Sequence, residues 1–329
     1  MKPQLRVSPP PKVSIALAVY NGERFLREQL ESIARQTRLP DELIISDDAS
    51  TDGTAQIIHQ FANRAPFQVT LLLNEENVGC TRNFDRAIRH CKGETIFLCD
   101  HDDLWYPNKI ETTLEALEAN PKAGVATCDA DLIDEHSRKP GQTFWQHKGF
   151  NPQSIKRPLS QGMLYTRSLP VYGPGIAFRR KLLPLFLPLP DDPPFQFGGQ
   201  DYFIMWCVLA AGAGGLALIE TPLLGYRQHS NQITARLATD RYPRWRARTE
   251  RPLTVLRPLI ERLESDAADK LCINRKMREA ALLHWRSRCF LPASKIRRIP
   301  VVTREFISGR YNEFSDGFKT ALKDLIFVR

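Results

Sequence analysis

The stretch VSIALAVYNGERFLREQLESIARQTRLPDELIISDDASTDGT (Val13–Thr54) decides the fold. Val13–Val19 is an almost unbroken apolar run, the pattern of a strand covered on both faces. Gly22–Gln36 changes period, with Phe25, Leu26, Leu30 and Ile33 at helical spacing. Leu43–Ser46 returns to strand. A strand, a helix and a strand in this order form the repeating unit of a parallel sheet.

The same alternation continues outward. Gly53–Asn63 reads as a helix, Phe67–Leu73 as a strand, and Arg82–His90 as a helix with Phe84, Ala87 and Ile88 on one side. Thr95–Cys99 is a fourth strand, Pro107–Glu118 a helix with proline in its first turn, and Gly124–Cys128 a fifth strand. Residues 134–170 are polar and irregular, a length of connection that usually carries function or moves. Val171–Phe178 is apolar and Lys181–Pro194 is Pro-rich. Asp201–Ala211 reads as a buried helix, and Leu216–Ile219 and Leu223–Tyr226 as two short strands. From Asp240 the chain is helical and basic, with Leu253, Leu256, Leu259, Ile260 and Leu263 at helical spacing.

The 329 residues suit one large α/β domain, or one domain with an extension. Hydrophobic residues at 42% and charged residues at 25% exclude whole-chain disorder. Seven cysteines, an odd number without a C-x-x-C pair, argue against a disulfide framework and a zinc knuckle and point to a reducing cytosol. The basic, Pro-rich start does not have the pattern of a signal peptide. The longest uncharged stretch, Tyr202–Ile219, is short and Ala/Gly-rich, so no membrane span is expected. The net charge is +9 but uneven: residues 236–329 hold 22 Lys/Arg against 11 Asp/Glu, and residues 1–235 hold 24 against 26. A basic C-terminal third calls for an anionic partner, a membrane surface or a polyanion.

In a parallel α/β sheet, ligands bind beyond the carboxyl ends of the strands. Four polar segments should converge there: Tyr20-Asn21-Gly22-Glu23, Asp47–Gly53, Asn74–Gly79 and Asp100-His101-Asp102-Asp103. Asp47–Gly53 can be a turn and helix cap, but a cap needs only one carboxylate, and Asp48 could instead accept from a nucleobase or ribose. Three carboxylates in four residues repel one another, and burying them calls for a counter-charge. A hard divalent cation with substrate phosphate oxygens would supply it; a solvated acidic loop is the other reading.

These segments, in this order and spacing, resemble family 2 glycosyltransferases with the Rossmann-like glycosyltransferase A-type fold: a mostly parallel sheet flanked by helices. Tyr20-Asn21 with Glu23 resembles the first-strand signature. Asp47-Asp48-Ala49-Ser50-Thr51-Asp52-Gly53-Thr54 resembles D-D-x-S-x-D-x-T. Asn77-Val78-Gly79 with Arg82-Asn83 resembles N-x-G…R-N, and Asp100-His101-Asp102-Asp103 resembles the D-x-D-D metal motif. The Leu-Trp and Pro-Asn-Lys that follow are similar to a rhamnosyltransferase-type branch. The resemblance spans residues 12–234.

The resemblance implies roles. The backbone of Ala18 and Val19 would line the nucleobase pocket, although members often carry Pro at Ala18. Asp48 would hold the base, Asn77 and Arg82 the nucleotide, and Asp100 the ribose or donor sugar; Tyr20, Asn21, Glu23 and Gly79 belong to the same donor surface. Asp102 would be the main metal ligand, with Asp103 nearby and an ambiguity of one position between them. In Gly198-Gly199-Gln200-Asp201-Tyr202-Phe203, Asp201 would be the catalytic base; it could equally be a carboxylate favoured by a helix N-terminus. Gln200 stands where members carry Glu or His. In Tyr226-Arg227-Gln228-His229, Arg227 or His229 would neutralise the leaving group, or His229 would complete the metal shell. Gly175 would border the acceptor or form a plain turn, and Trp105 would stack on a sugar or fill the core.

With the acidic run, the resemblance implies a metal-dependent (Mn²⁺ or Mg²⁺) inverting glycosyltransferase using a UDP- or dTDP-linked sugar. The acceptor would be a glycan or lipid-diphosphate-linked molecule of bacterial surface polysaccharide synthesis such as O-antigen. The expected divisions are a tail (1–11), a catalytic domain (12–235, with a nucleotide-sugar half to 130 and an acceptor half from 131) and a basic helical extension (236–329). Arg241–Arg248 interleaves Arg with Tyr242 and Trp245, suiting either an anionic membrane surface or a solvated face. No nucleic-acid module is recognisable. The expected location is cytoplasmic, with the inner membrane face accessible to the basic helices. The competing readings are a non-turnover binder of nucleotide-sugar, polyanion or membrane, and a nucleotidyltransferase, for which the first strand lacks a Gly/Lys-rich phosphate loop.

Overall fold

A computed structural model describes residues 13–139, 141–152, 171–190, 199–230, 232, 258, 260–292, 294–311 and 317–326. The tail 1–11, the run Arg241–Arg248, Leu253, Leu256, Leu259 and the expected boundary at 235/236 lie outside the described residues.

The first half follows the predicted alternation: β1 (Val13–Val19), α1 (Leu26–Ala34), β2 (Glu42–Asp47), α2 (Thr54–Ala62), β3 (Gln68–Leu73), α3 (Cys80–His90) and β4 (Thr95–Asp100). Next come β5 (Leu104–Trp105), α4 (Lys109–Ala119), β6 (Ala123–Ile133), α5 (Phe144–His147), β7 (Ile176–Arg179), α6 (Gly199–Ala210) and β8 (Gly215–Arg227). The C-terminal part holds α7 (Asp266–Leu271), α8 (Arg275–Cys289), α9 (Lys295–Ile307) and α10 (Gly317–Ile326). One eight-stranded sheet runs β3-β2-β1-β4-β7-β6-β8-β5. Every residue of β1 is buried because it lies between β2 and β4, both parallel to it, which explains its unbroken apolar run.

The second half of the sheet departs from a simple parallel repeat. β7 is antiparallel to both β4 and β6, and β5 is antiparallel to β8. The two short strands expected at Leu216–Ile219 and Leu223–Tyr226 are one strand, β8, parallel to β6. The register shifts where Cys128 faces Ile219 and Asp129 faces Pro222. That irregularity accommodates a proline that cannot donate to the ladder. Helix α1 starts later than Gly22 because residues 22–25 form a turn, with the amides of Phe25 and Leu26 donating to the Gly22 carbonyl.

The main hydrophobic core extends from β1 into the C-terminal helices through Leu263, Ala268, Ala281 and Trp285. Gly212 makes this joint close. It has φ +62°, its carbonyl accepts from Ile273 and Asn274, and an added Cβ would lie 2.6 Å from the Asn274 carbonyl oxygen. A separate small cluster of Val302, Tyr311 and Ala321 holds the last helices together.

Candidate active site

The parallel register sets the four polar segments on one edge: Val19 lies beside Asp47, and Ala18 beside Asp100. The loops after β1 and β2 are laced together. Asn21, with φ +49°, accepts from the Thr51 amide at 2.9 Å, while its own amide donates to Ser50 Oγ at 2.8 Å. Glu23 accepts from the Gly53 amide at 3.1 Å, and its amide donates to Asp52 at 3.1 Å. The side chains of Asn21 and Glu23 thus shape this rim, and Tyr20 stands 45% exposed on it.

Asp48 is buried and binds the chain's own third loop. Its carboxylate accepts from the amides of Val78 (2.8 Å) and Gly79 (2.9 Å) and from the Asn74 side chain (2.8 Å). Gly79, at φ +87°, turns the chain into α3 directly above this clamp. Asn83 is a residue whose role sequence reasoning missed. Buried on α3, it donates to the carbonyls of both Val19 (3.2 Å) and Ser46 (2.8 Å), tying the ends of β1 and β2 together. Its only signal was its place beside Arg82. Asn77 and Arg82, before and at the start of α3, are both exposed.

Asp100, Asp102 and Asp103 each offer a carboxylate oxygen, all within 4.8 Å of one another. Burial, then the charges of Asp102 and Asp201, push Asp100 well above the ordinary carboxylate range. Burial, then Asp102 and Asp100, do the same to Asp103, against the pull of the Arg227 amide. Burial also works to lift Asp102, but His101 and then the His229 hydrogen bond outweigh it and hold it below its ordinary value. Asp103 is completely buried; its Oδ1 accepts from the Arg227 amide at 3.0 Å, and its Oδ2 is without a partner among the described residues.

The residues fit a hard divalent cation. Three convergent carboxylates, one with a buried unpaired oxygen, are the donor set that Mg²⁺ or Mn²⁺ takes. His229 Nε2 lies 2.9 Å from Asp102 Oδ2. His229 therefore stands where it would hold such an ion together with Asp102.

Asp201 opens α6, buried and close enough to Asp100 to raise it. Burial pushes Asp201 up to about 7, while the amides of Tyr202, Asp201 itself and Gly173 pull partly back. A carboxylate near 7 is matched to taking a proton at neutral pH. Gln200 beside it is buried, with its amide nitrogen 3.9 Å from Cys80 Sγ.

One expectation needs correction, and at two other positions the plainer of the two readings holds. Arg227 is not aimed at a ligand: it is completely buried and donates to the Asp102 carbonyl (2.7 Å), Ser137 (3.0 Å) and Glu28 (2.7 Å), with its guanidinium 4.7 Å above the Phe25 ring. It is a brace behind the acidic loop, and Glu28, its partner 199 residues away, left no signal in the sequence. Trp105 is 2% exposed, packed against Phe97 and under the Lys109 ammonium, so it fills the core and cannot stack on a sugar. Gly175 is a glycine because the Tyr172 ring would lie 2.7 Å from an added Cβ; Gly173, two residues earlier, is the one that faces Asp100.

Residues 14–184 match glycosyl transferase family 2, more than half of the chain. The chain belongs to this family. An uncharacterized protein of Mycobacterium tuberculosis is 30% identical over 251 residues, covering 76% of this chain and 68% of its own. An uncharacterized glycosyltransferase of Nostoc sp. is 28% identical over 232 residues, 69% of each chain. Among solved structures, residues 1–349 of S. aureus TarS in complex with UDP-GlcNAc superimpose with a TM-score of 0.55 at 14% identity, covering 94% of this chain and 90% of that one. A mannosyltransferase from Pyrobaculum calidifontis in complex with GDP-Man and Mn²⁺ gives 0.50 at 21% identity, covering 92% and 76%. This family 2 chain therefore has the glycosyltransferase A-type fold and is a transferase of sugars.

Proposed function

We propose that the protein is a metal-dependent, inverting hexosyl- or deoxyhexosyltransferase that uses a UDP- or dTDP-linked sugar. The observation that carries this reading is the juxtaposition of a carboxylate trio suited to a cation with Asp201, a separate buried carboxylate raised to about 7. Nucleotide-sugars bound to the structural neighbours support the donor class, and Mn²⁺ in one of them supports the metal.

The chain's residues divide the work. The rim of Tyr20, Asn21, Glu23 and the Asp48-held loop, with Asn77 and Arg82, forms the nucleotide side. Asp102, with Asp100, Asp103 and His229, would hold the cation. When bound, such an ion neutralises charge that develops on the departing diphosphate. Asp201 accepts the proton of the acceptor hydroxyl as that oxygen bonds to the anomeric carbon. The bond from that carbon to the diphosphate oxygen breaks, and the nucleoside diphosphate leaves with its electron pair. Attack from the face opposite the leaving group inverts the anomeric configuration. The acceptor on this reading is a glycan or lipid-diphosphate-linked molecule of bacterial surface polysaccharide synthesis, met on the cytoplasmic side of the membrane.

The test is a thermal-shift panel of nucleoside diphosphates and their sugars with and without Mn²⁺, because a ligand that binds only the native state raises the melting point. A Mn²⁺-dependent shift with UDP or dTDP, absent in Asp102→Ala, is expected. No shift with any nucleotide would remove the donor assignment.

A further inference from the structure

Helix α9 (Lys295–Ile307) is turned inside out. Its buried residues are Arg298, Val302 and Glu305. Arg298 donates to the carbonyls of Pro292 and Asp324, and Glu305 accepts from Ser287 and Arg310 and pairs with His284. The outward stripe is apolar: Ile296 is 78% exposed, Ile299 53% and Ile307 78%, with Pro300 and Thr303 exposed between them. An ordinary surface helix does the reverse. The patch continues onto α10, where Phe318 is 65% exposed and its ring lies 6.1 Å from that of Phe306. Thr303, Arg304, Ser308 and the Ile299–Pro300 and Ile307 side chains line a shallow cleft of about 630 Å³ in this face.

The charges on α9 are one-sided. Its exposed charged residues, Lys295, Arg297 and Arg304, are all basic, and its one acid, Glu305, is buried. At about 100° per residue, Arg297 and Arg304 flank the apolar stripe on one shoulder and Lys295 on the other. An apolar stripe between cationic shoulders suits a helix lying in the plane of a membrane interface, its cations among anionic headgroups. In a twofold dimer through this face, the shoulders of the two copies would oppose like charges.

We propose that the α9–α10 face docks the protein on an anionic bilayer surface, with Ile296, Ile299, Ile307 and Phe318 entering the headgroup boundary. This does not depend on the transferase reading. The full chain is sedimented with vesicles of phosphatidylcholine alone and of phosphatidylcholine mixed with phosphatidylglycerol. Binding to the mixed vesicles only is expected, weakened about tenfold or more in the double variant Ile299→Asp, Ile307→Asp, with an unchanged melting curve and unchanged nucleotide binding. Absence of binding by the unaltered chain, or equal binding by the variant, overturns the proposal. So does light scattering that shows the unaltered chain as a dimer and the variant as a monomer, since the face then binds a second copy. An Ile307→Trp chain whose added emission stays unshifted while it is vesicle-bound places α9 outside the bilayer and overturns it as well.

Discussion

Two buried polar clusters in this molecule are built on opposite terms. In the C-terminal helices, Glu305 meets Arg310 at 2.6 Å and His284 at 3.2 Å, and Asp324 meets Arg288 and the Tyr311 hydroxyl at 2.8 Å each. Burial lifts Glu305, but Arg310 and His284 outweigh it and draw it down to about 2. At the strand ends, Asp100, Asp103 and Asp201 are instead pushed up, chiefly by burial, with too little positive charge near them among the described residues. A cluster that satisfies itself serves the fold. One held in an unfavourable state by the fold around it is a candidate for completion by a ligand, which is how the proposed function uses it.

The largest effect should come from Asp201→Asn, which lowers sugar-transfer turnover by about 10²–10⁴-fold while leaving donor binding intact. In the unaltered enzyme the rate should rise with pH through about 7 as Asp201 loses its proton, and the variant's residual rate should lack that rise. Unchanged turnover would show that Asp201 is no base. Next, Asp102→Ala should weaken Mn²⁺-dependent nucleotide binding by at least about 100-fold in calorimetry, and a chelator should reproduce the loss in the unaltered chain. Unaltered affinity in either experiment would show that the trio holds no cation for the nucleotide.

The self-satisfied cluster predicts the reverse pattern. Glu305→Ala leaves the half-buried Arg310 and the buried His284 without their carboxylate and should cost about 1–3 kcal/mol in denaturant unfolding, with donor affinity unchanged in whatever remains folded. An effect of opposite sign belongs to Asp201. Its folded-state value, about 7, lies above its ordinary 3.8, so the folded form holds the proton more tightly between these values. Stability is therefore fullest below the lower value and falls as pH rises through the upper one. Metal-free Asp201→Asn should match the unaltered chain near pH 4 and be more stable by roughly 1–3 kcal/mol near pH 8. Equal melting points at both pH values would remove the contrast between the clusters.

Much of the first half of the sheet could be read from residues alone. The alternation of periods from Val13 to Cys128 foretold the strands and helices in order except for the two-residue β5, and the polar segments after β1, β2, β3 and β4 do share one edge. What failed did so for identifiable reasons. The polar gap between Ile219 and Leu223 reads as the end of one strand and the start of another, yet a register shift at Pro222 lets one strand pass through it. Trp105 left two readings open, a sugar platform or the core, and the pairing of β5 with β8 turns it into the core. Arg227 carried the right chemistry for a diphosphate, but Glu28 and Ser137, remote in sequence, draw it inward.

The sequence by itself determined which segments are strands and helices and where the carboxylates lie along the chain, because hydrophobic period and local composition act over a few residues. Tertiary structure alone decided that β7 enters between β4 and β6 against their direction, that Asn83 bridges two strand ends, and that Asp201 comes close enough to Asp100 to raise it. It also decided that α9 buries its charges and shows its isoleucines. Each of these depends on groups brought together from distant parts of the chain. Burial and electrostatic coupling are set by those distances in space, which no local pattern encodes.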